Sequence, residues 1–229
     1  METVCIALQR PEGAPFSPFA QGLIERAPVV DRARSAGAVA AALDVVLWPE
    51  RTRIVEAGAR DRRPFPVEWD AFLQFRFDDG GGRRFLTAGP VELGLEPAAM
   101  AVYAFETRVV AGEPIGVTAG SAKEVTFVTR ASGLSVAEAV AHHRSEHVDI
   151  ALSLGTLFNR YSSSGALTEQ GSHWDLMVEQ WYDTTGRLAD HVRRHSATDD
   201  IRGHEEAFVG WLHMYFAAEV ALWGPRPGG

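Results

Sequence analysis

Residues 69–79 read WDAFLQFRFDD, and residues 174–184 read WDLMVEQWYDT. The two stretches start 105 residues apart, at positions 69 and 174, which is about the length of one small domain. Each begins with Trp-Asp, continues through residues typical of a β-strand and ends at an Asp in a turn. The sequence therefore predicts two diverged copies of one unit joined head to tail, with domains at residues 1–112 and 122–229.

The segments around this repeat have the same order in both halves. A short β-like run lies upstream in each half, and an apolar, aromatic run lies downstream; the four runs are residues 3–8, 124–129, 100–110 and 208–222. A helical segment follows each upstream run. The order strand, helix, strand, strand, helix, strand predicts an α+β protein built from two ferredoxin-like (βαββαβ) halves.

The two predicted helices differ in quality. In the second half Ser135 and Glu138 form a capping box at the start of a regular apolar stripe. In the first half Phe16, Phe19, Leu23 and Ile24 are predicted to form the apolar face, and Pro28 ends the helix or marks its last turn. Residues 51–66, which are rich in Arg, are predicted to be a loop insertion, and residues 111–122 a linker.

Composition excludes several classes of protein. The net charge is −8, which argues against a nucleic-acid partner because such proteins carry a basic face. The basic residues are almost all Arg, and Lys123 is the only lysine. Cys5 is the only cysteine, so no internal disulfide is possible, and we expect a buried structural thiol. No apolar run approaches the ~20 residues of a membrane helix, and no secretory signal is evident, so we expect a cytoplasmic protein.

Histidine is confined to the second half, where all eight residues lie between His142 and His213. Imidazole is suited to proton transfer near neutral pH because its ordinary pKa is about 6.5. His147 is the first candidate, since it lies on the apolar face of the capped helix, with His143 one turn earlier. The alternative for His147 is a core histidine bonded to a backbone carbonyl. A His pair at this spacing can bind zinc, but no further ligand completes a set, so we predict no metal site.

The later strands supply further candidates. Side chains alternate along a strand, so Asp175, Glu179 and Trp181 share one face. Glu179 corresponds to Gln74 and is charged only in the second half, whereas Asp175 recurs as Asp70 and has a structural alternative. The predicted catalytic residues are His147, His213, Glu179 and Tyr215; the predicted substrate-binding residues are His143, Asp175, Trp181, Trp211, Phe127 and Tyr161.

The second half resembles the EthD family, a branch of the dimeric α+β-barrel superfamily. The matching residues are Gly133-Leu134-Ser135 in a turn, His142 and His147 on the helix, and Asp175, Glu179, Trp181, Tyr182, Asp183 and Thr184 in the later strand. His143 replaces the family's usual Trp, and Val148-Asp149 replaces its Ala-Pro. In relatives two chains pair their sheets into one barrel, with a cleft between helices and sheet. The resemblance implies that the two halves of this chain form that barrel intramolecularly.

Similar proteins act on small, hydrophobic, oxygenated molecules, often without a cofactor. The resemblance implies a cofactor-independent lyase or isomerase, of the cyclase or dehydratase type, for a polyketide-like or aromatic carbonyl compound. His147 would be the general acid or base, and His213, Tyr215 or Glu179 would bond the developing oxyanion. Two alternatives stay open: a cofactor-free or haem-dependent monooxygenase of similar substrates, and a non-catalytic protein that binds a hydrophobic ligand. We expect a monomer or a homodimer with no nucleic-acid or membrane partner.

Overall fold

The computed structural model describes residues 1–26, 28–54, 68–78, 80–94, 96–112, 122–153, 158–167, 174–196 and 203–224. The first half contains β1 (Glu2–Gln9), α1 (Phe16–Arg26), α2 (Pro28–Ser35), β2 (Ala38–Ile54), β3 (Ala71–Phe77), α3 (Gly81–Thr87) and β4 (Ala99–Ala111). The second half contains β5 (Ala122–Arg130), α4 (Val136–His142), a π-helical turn (His143–His147), α5 (Val148–Ser153), β6 (Arg160–Ala166), β7 (Leu176–Tyr182), α6 (Thr185–Ser196) and β8 (Val209–Trp223). The predicted order of strands and helices is confirmed.

The described strands close into one barrel in the order β1-β3-β2-β8-β5-β7-β6-β4. Every neighbouring pair is antiparallel. Each half contributes four adjacent strands, and the halves meet at two junctions, β2 with β8 and β4 with β6. Closure satisfies the backbone groups that an open sheet would leave at its edges. The predicted fold class, two ferredoxin-like halves in one α+β barrel, is confirmed.

The sheet has two buried faces with different contents. The interior of the barrel holds an aromatic cluster to which both halves contribute, including Phe72, Phe105, Phe127 and Tyr215. The outer face is covered by the helices and forms separate apolar clusters in the first and second halves. Because side chains alternate along each strand, neighbouring residues enter different compartments. This alternation decides which candidate residues can meet.

Several details of the structure bear on the sequence-based expectations. Residues 51–54 belong to β2, not to a loop, because they continue the ladder with β8 as far as the pair Ile54 and Trp211; residues 55–66 lie outside the described residues. Phe19 and Leu23 are buried as predicted, but Ile24 is 42% exposed, because the buried face of α1 is narrow. Cys5 is a buried free thiol. None of the described helices is both long and apolar enough to cross a membrane.

Candidate functional site

A pair of stacked histidines lies between the helix of the second half and the outer face of the sheet. The capping box predicted at Ser135 is present and fixes the start of α4. After His142 the helix widens into the π-turn that carries His143 and His147. The two imidazoles are 2% and 7% exposed, and their ring centres lie 5.3 Å apart. Single π-turns within α-helices occur frequently at functional sites.

His143 is held by the sheet at both ring nitrogens. Its Nδ1 lies 2.8 Å from the hydroxyl of Ser163, and its Nε2 lies 2.9 Å from the hydroxyl of Tyr161. Burial lowers the pKa of His143 well below its usual value, and the nearby His147 and Arg144 lower that pKa further. His143 is therefore a neutral ring in which one nitrogen donates and the other accepts. Its orientation is determined by two strand side chains.

Buried polar groups extend from His143 across the outer face. Tyr182 donates a hydrogen bond to the Oε1 of Gln180, its near neighbour on β7. On β5, Thr126 donates to Glu124 Oε1 at 3.0 Å. Burial raises the pKa of Tyr161 above its usual value, and the charge of Glu124 raises it further. These groups form a buried layer of hydroxyls, an amide and one carboxyl group on the face of the sheet that carries the imidazoles.

Aromatic rings and a close helix contact enclose this layer. Phe208 packs edge-on against both imidazoles, with ring centres 5.8 Å from His143 and 5.6 Å from His147. Gly165 on β6 lets α4 approach the sheet, since a Cβ there would lie 2.6 Å from Cγ2 of Val140. The helix and the sheet are therefore in direct contact beside the histidine pair.

A second polar cluster lies inside the barrel, around the only lysine. The Nζ of Lys123 is 2.6 Å from Glu179 Oε1, 2.8 Å from Asp44 Oδ2 and 2.8 Å from Glu219 Oε2. The side chains of Lys123, Asp44 and Glu179 are fully buried. Trp181 lies beside this cluster: its ring centre is 4.7 Å from Nζ, and its Nε1 donates to Glu219 at 3.1 Å. We call Lys123, Asp44, Glu179 and Glu219 the charged cluster.

The carboxylates of the charged cluster differ in proton affinity. Burial raises the pKa of Asp44 to about 7, against the opposing charge of Lys123. Although burial also opposes the charge of Glu179, Lys123 and then Arg76 lower the pKa of this residue to about 2. The three carboxylates raise the pKa of Lys123 above its usual value despite burial. Lys123 is therefore a permanent cation and not a nucleophilic amine.

The sheet divides the predicted site residues into two groups. His143, His147 and Tyr161 lie together on the outer face, under the helix. The residues inside the barrel are Glu179 and Trp181 in or beside the charged cluster, and Phe127, His213 and Tyr215 in the aromatic region. The structure does not bring His147 together with Glu179, His213 or Tyr215, because strand alternation places the latter three on the opposite face. Side-chain alternation along the strand would place Trp174 on the outer face with Leu176, but Trp174 packs inside the barrel because it precedes β7.

Asp175 and Asp70 make equivalent contacts in the two halves. Asp175 accepts a hydrogen bond from the backbone N of Arg130 at 2.8 Å and pairs with its guanidinium group. Asp70 accepts from the backbone N of Arg10 at 2.9 Å and pairs with its Nε at 3.2 Å. Both carboxylates thus hold the turn that follows the first strand of their half. The structural alternative for Asp175 is favoured.

Sequence reasoning missed several buried polar residues. Ser163 contacts His143, and Gln180 and Glu124 lie on the same face of the sheet, but each stands in an ordinary strand pattern that gives no signal. Lys123 did give a signal: a single lysine in an arginine-rich chain, within a β-like run.

The remaining predicted contact, Trp211, is buried in β8 with its backbone N donating to Thr129 Oγ1 at 2.9 Å.

A cleft of about 350 Å³ lies in the first half. Its lining residues are Arg10, Phe16, Val46, Leu47, Glu68, Trp69 and Asp70. These residues include none of the predicted site. Within the described part of the chain, no group of three or more His, Cys, Asp or Glu residues is arranged to hold a metal ion.

Solved structures with this fold match over nearly the whole chain. A candidate monooxygenase from Fusobacterium nucleatum subsp. nucleatum has a TM-score of 0.52 at 9% identity, covering 100% of this chain and 94% of its own. A candidate monooxygenase from Lactobacillus acidophilus has a TM-score of 0.51 at 8% identity, covering 96% and 94%. An anthrone oxidase-like protein has a TM-score of 0.51 at 9% identity, covering 100% and 96%. No family model and no curated protein matches the sequence. At such identities the likeness concerns the fold alone, and the chain has the dimeric α+β-barrel fold.

Proposed function

We propose that this chain is an enzyme that moves a proton on a small, hydrophobic, oxygenated compound without a cofactor. The observation that carries this proposal is the buried imidazole pair, in which a neutral His143 is held by Ser163 and Tyr161 beside His147. We also propose kinship of the second half with EthD proteins, and duplication as the origin of the two halves. The shared motif residues and the equal order of elements support both ideas.

The two histidines have different roles in this proposal. His143 is a positioning residue, because Ser163 and Tyr161 engage both of its nitrogens. His147 is the acid or base: it is the more exposed ring of the pair and stacks on a partner of determined orientation. As a base it removes the proton α to a carbonyl, and the electron pair moves to the carbonyl oxygen. The proton then returns at another carbon, or a β-hydroxyl group leaves as water, giving isomerase or dehydratase chemistry.

The solved structures with the same fold favour a second candidate function, that of a monooxygenase. Two of the solved structures are candidate monooxygenases and a third is anthrone oxidase-like. A carbanion or phenolate formed by His147 is electron-rich and can react with O₂ directly, so the same base serves either chemistry. Haem fits poorly at this place, because the hydrogen bonds of His143 join the helix directly to β6 and leave no slot between them.

Deuterium exchange at the α-carbon tests the proposal. A panel of aromatic and polyketide-like ketones is incubated with protein in D₂O under argon and in air. We expect exchange under argon with the wild type, and a loss of about 10²–10⁴-fold in His147→Gln at unchanged melting temperature. His142→Gln is the matched control, since His142 lies on the same helix with a side chain 40% exposed. Substrate-dependent O₂ uptake that yields an oxygenated product, with or without exchange under argon, would favour the monooxygenase. Binding without exchange or uptake would leave only a ligand carrier, and equal loss of activity and stability in His147→Gln would make it a core residue.

A further inference from the structure

The two junctions between the halves carry different chemistry at equivalent positions. Thr3 of β1 pairs with Phe105 of β4, as Lys123 of β5 pairs with Ala217 of β8. Thr107 lies two residues after Phe105 on β4 and pairs with Ser164 across the β4–β6 junction. Glu219 lies two residues after Ala217 on β8 and pairs with Asp44 across the β2–β8 junction. The set Thr3, Thr107 and Ser164 therefore corresponds to the set Lys123, Glu219 and Asp44.

The β4–β6 junction is neutral and self-sufficient. The hydroxyls of Thr3 and Thr107 lie 2.7 Å apart, and Ser164 donates to Thr107 Oγ1 at 2.9 Å. All three side chains are buried. A hydroxyl group both donates and accepts hydrogen bonds, so these three side chains satisfy one another without a charged partner.

The β2–β8 junction depends on both halves. Asp44 is a fully buried carboxylate of the first half, and its cation is Lys123 of the second half, at 2.8 Å. From its own half Asp44 receives a hydrogen bond from Gln74 Nε2 at 2.7 Å. In a barrel made of two first halves, the position of Glu219 would be taken by Thr107 and that of Lys123 by Thr3. Asp44 would then be buried opposite hydroxyls, and burying a carboxylate without its cation is strongly unfavourable.

We propose that the β2 edge of the first half is a pairing-specificity surface that accepts only a half presenting a buried ammonium group. Its partner is a second-half unit, from the same chain or from another copy. Asp44 opposes the pairing of two first halves, and Lys123 supplies the charge that makes the mixed pair favourable. The two junctions thereby determine which halves can close a barrel together.

The test uses the full chain with a protease site introduced in residues 113–121. The folded protein is cut and equilibrated, and native mass spectrometry counts the mixed pairs and the pairs of two first halves. We expect wild-type protein to give mixed pairs only. Asp44→Asn keeps the size of the side chain but removes the charge, and should raise the population of first-half pairs at least about tenfold, since 1.4 kcal/mol is tenfold. Ser164→Ala at the neutral junction is the control and should behave as wild type.

First-half pairs in wild-type protein, or mixed pairs alone in Asp44→Asn, would overturn the proposal. A second measurement covers the case in which a cut variant fails to refold. Lys123→Met, Asp44→Leu and the double variant are compared uncut by urea unfolding. The double variant should be more stable than the sum of the single effects predicts, because each single change leaves charge unbalanced. Additive effects would show that Lys123 and Asp44 do not interact, and would also overturn the proposal.

Discussion

Glu179 and Gln180 are consecutive residues of β7, yet their side chains lie in different compartments. Glu179 Oε1 is 2.6 Å from the ammonium group of Lys123 inside the barrel. Gln180 accepts a hydrogen bond from Tyr182 on the side covered by the helices. One layer of backbone therefore separates a charged interior from a largely neutral layer that contains the histidine pair. Substitutions on the two sides should act on different properties of the protein.

Gly165→Ala should disturb the packing of the helix that carries the histidine pair. The added methyl group would meet Cγ2 of Val140 at 2.6 Å and push α4 away from β6, which carries the hydroxyls that hold His143. We expect a loss of about 1–3 kcal/mol in the free energy of unfolding, together with a changed imidazole signal in the NMR spectrum. Gly186→Ala is the control, because its Cβ would meet only Thr184 Oγ1, at an ordinary 3.7 Å. Recovery in the double variant Gly165→Ala with Val140→Ala would identify this contact as the cause.

Lys123→Met should destabilise the barrel strongly. Its ammonium group balances three buried carboxylates, so removing it leaves charge without a partner, at a cost of about 3–5 kcal/mol by urea unfolding. Arg83→Met provides the comparison, because the Arg83 side chain is 66% exposed in its pair with Glu2 and the pair should contribute less than about 1 kcal/mol. A loss no larger in Lys123→Met than in Arg83→Met would contradict this account.

The stability of the protein should depend on pH through the charged cluster. Burial raises the pKa of Asp44 from 3.8 to about 7, so the folded state holds a proton that the unfolded state releases. The contribution of this proton to the free energy of unfolding is fully present below pH 3.8 and is lost as the pH rises through about 7. The pKa of Glu179 is lowered from 4.5 to about 2, so its contribution is present above pH 4.5 and is lost as the pH falls through about 2. The stability of Asp44→Asn relative to wild type should therefore improve between pH 4 and 8, measured by urea unfolding. A difference that is constant over this range would speak against a raised pKa at Asp44.

Asp175→Asn and Asp70→Asn should have similar effects. Each change weakens charge-assisted bonds to the arginine after the first strand of its half, at a cost of about 1.5–3 kcal/mol. Neither change should alter KM for the substrate once one is identified, because both carboxylates hold turns. A selective rise of KM in Asp175→Asn would show that this residue binds substrate after all.

Much of the fold followed from short sequence patterns. The repeated Trp-Asp strands, at Trp69 and Trp174, predicted the order of elements, because strand and turn patterns are local. The ladder of residues 51–54 with β8 could not be predicted, since it depends on a partner strand far away in the sequence. The pairing of residues 51–54 with β8 makes them a strand although their arginine-rich composition indicated a loop.

The site was less predictable than the fold. Alternation showed that Glu179 and Trp181 share a face, but it did not show which face the helix covers. The burial of His143 and His147 agreed with their place on the apolar stripe. The importance of Lys123 depends on Glu219, from the adjacent strand β8 of its own half, and on Asp44, which approaches Lys123 only when β2 pairs with β8.

The burial of Lys123 gives this protein unusual amine chemistry. In the folded chain its ammonium group is 0% exposed, and no other lysine exists in the sequence. Acylating reagents such as succinimidyl esters should therefore leave every side chain unmodified while the barrel is closed, and react only with the α-amino group of the chain. A label on Lys123 would then be a covalent record that the barrel had opened.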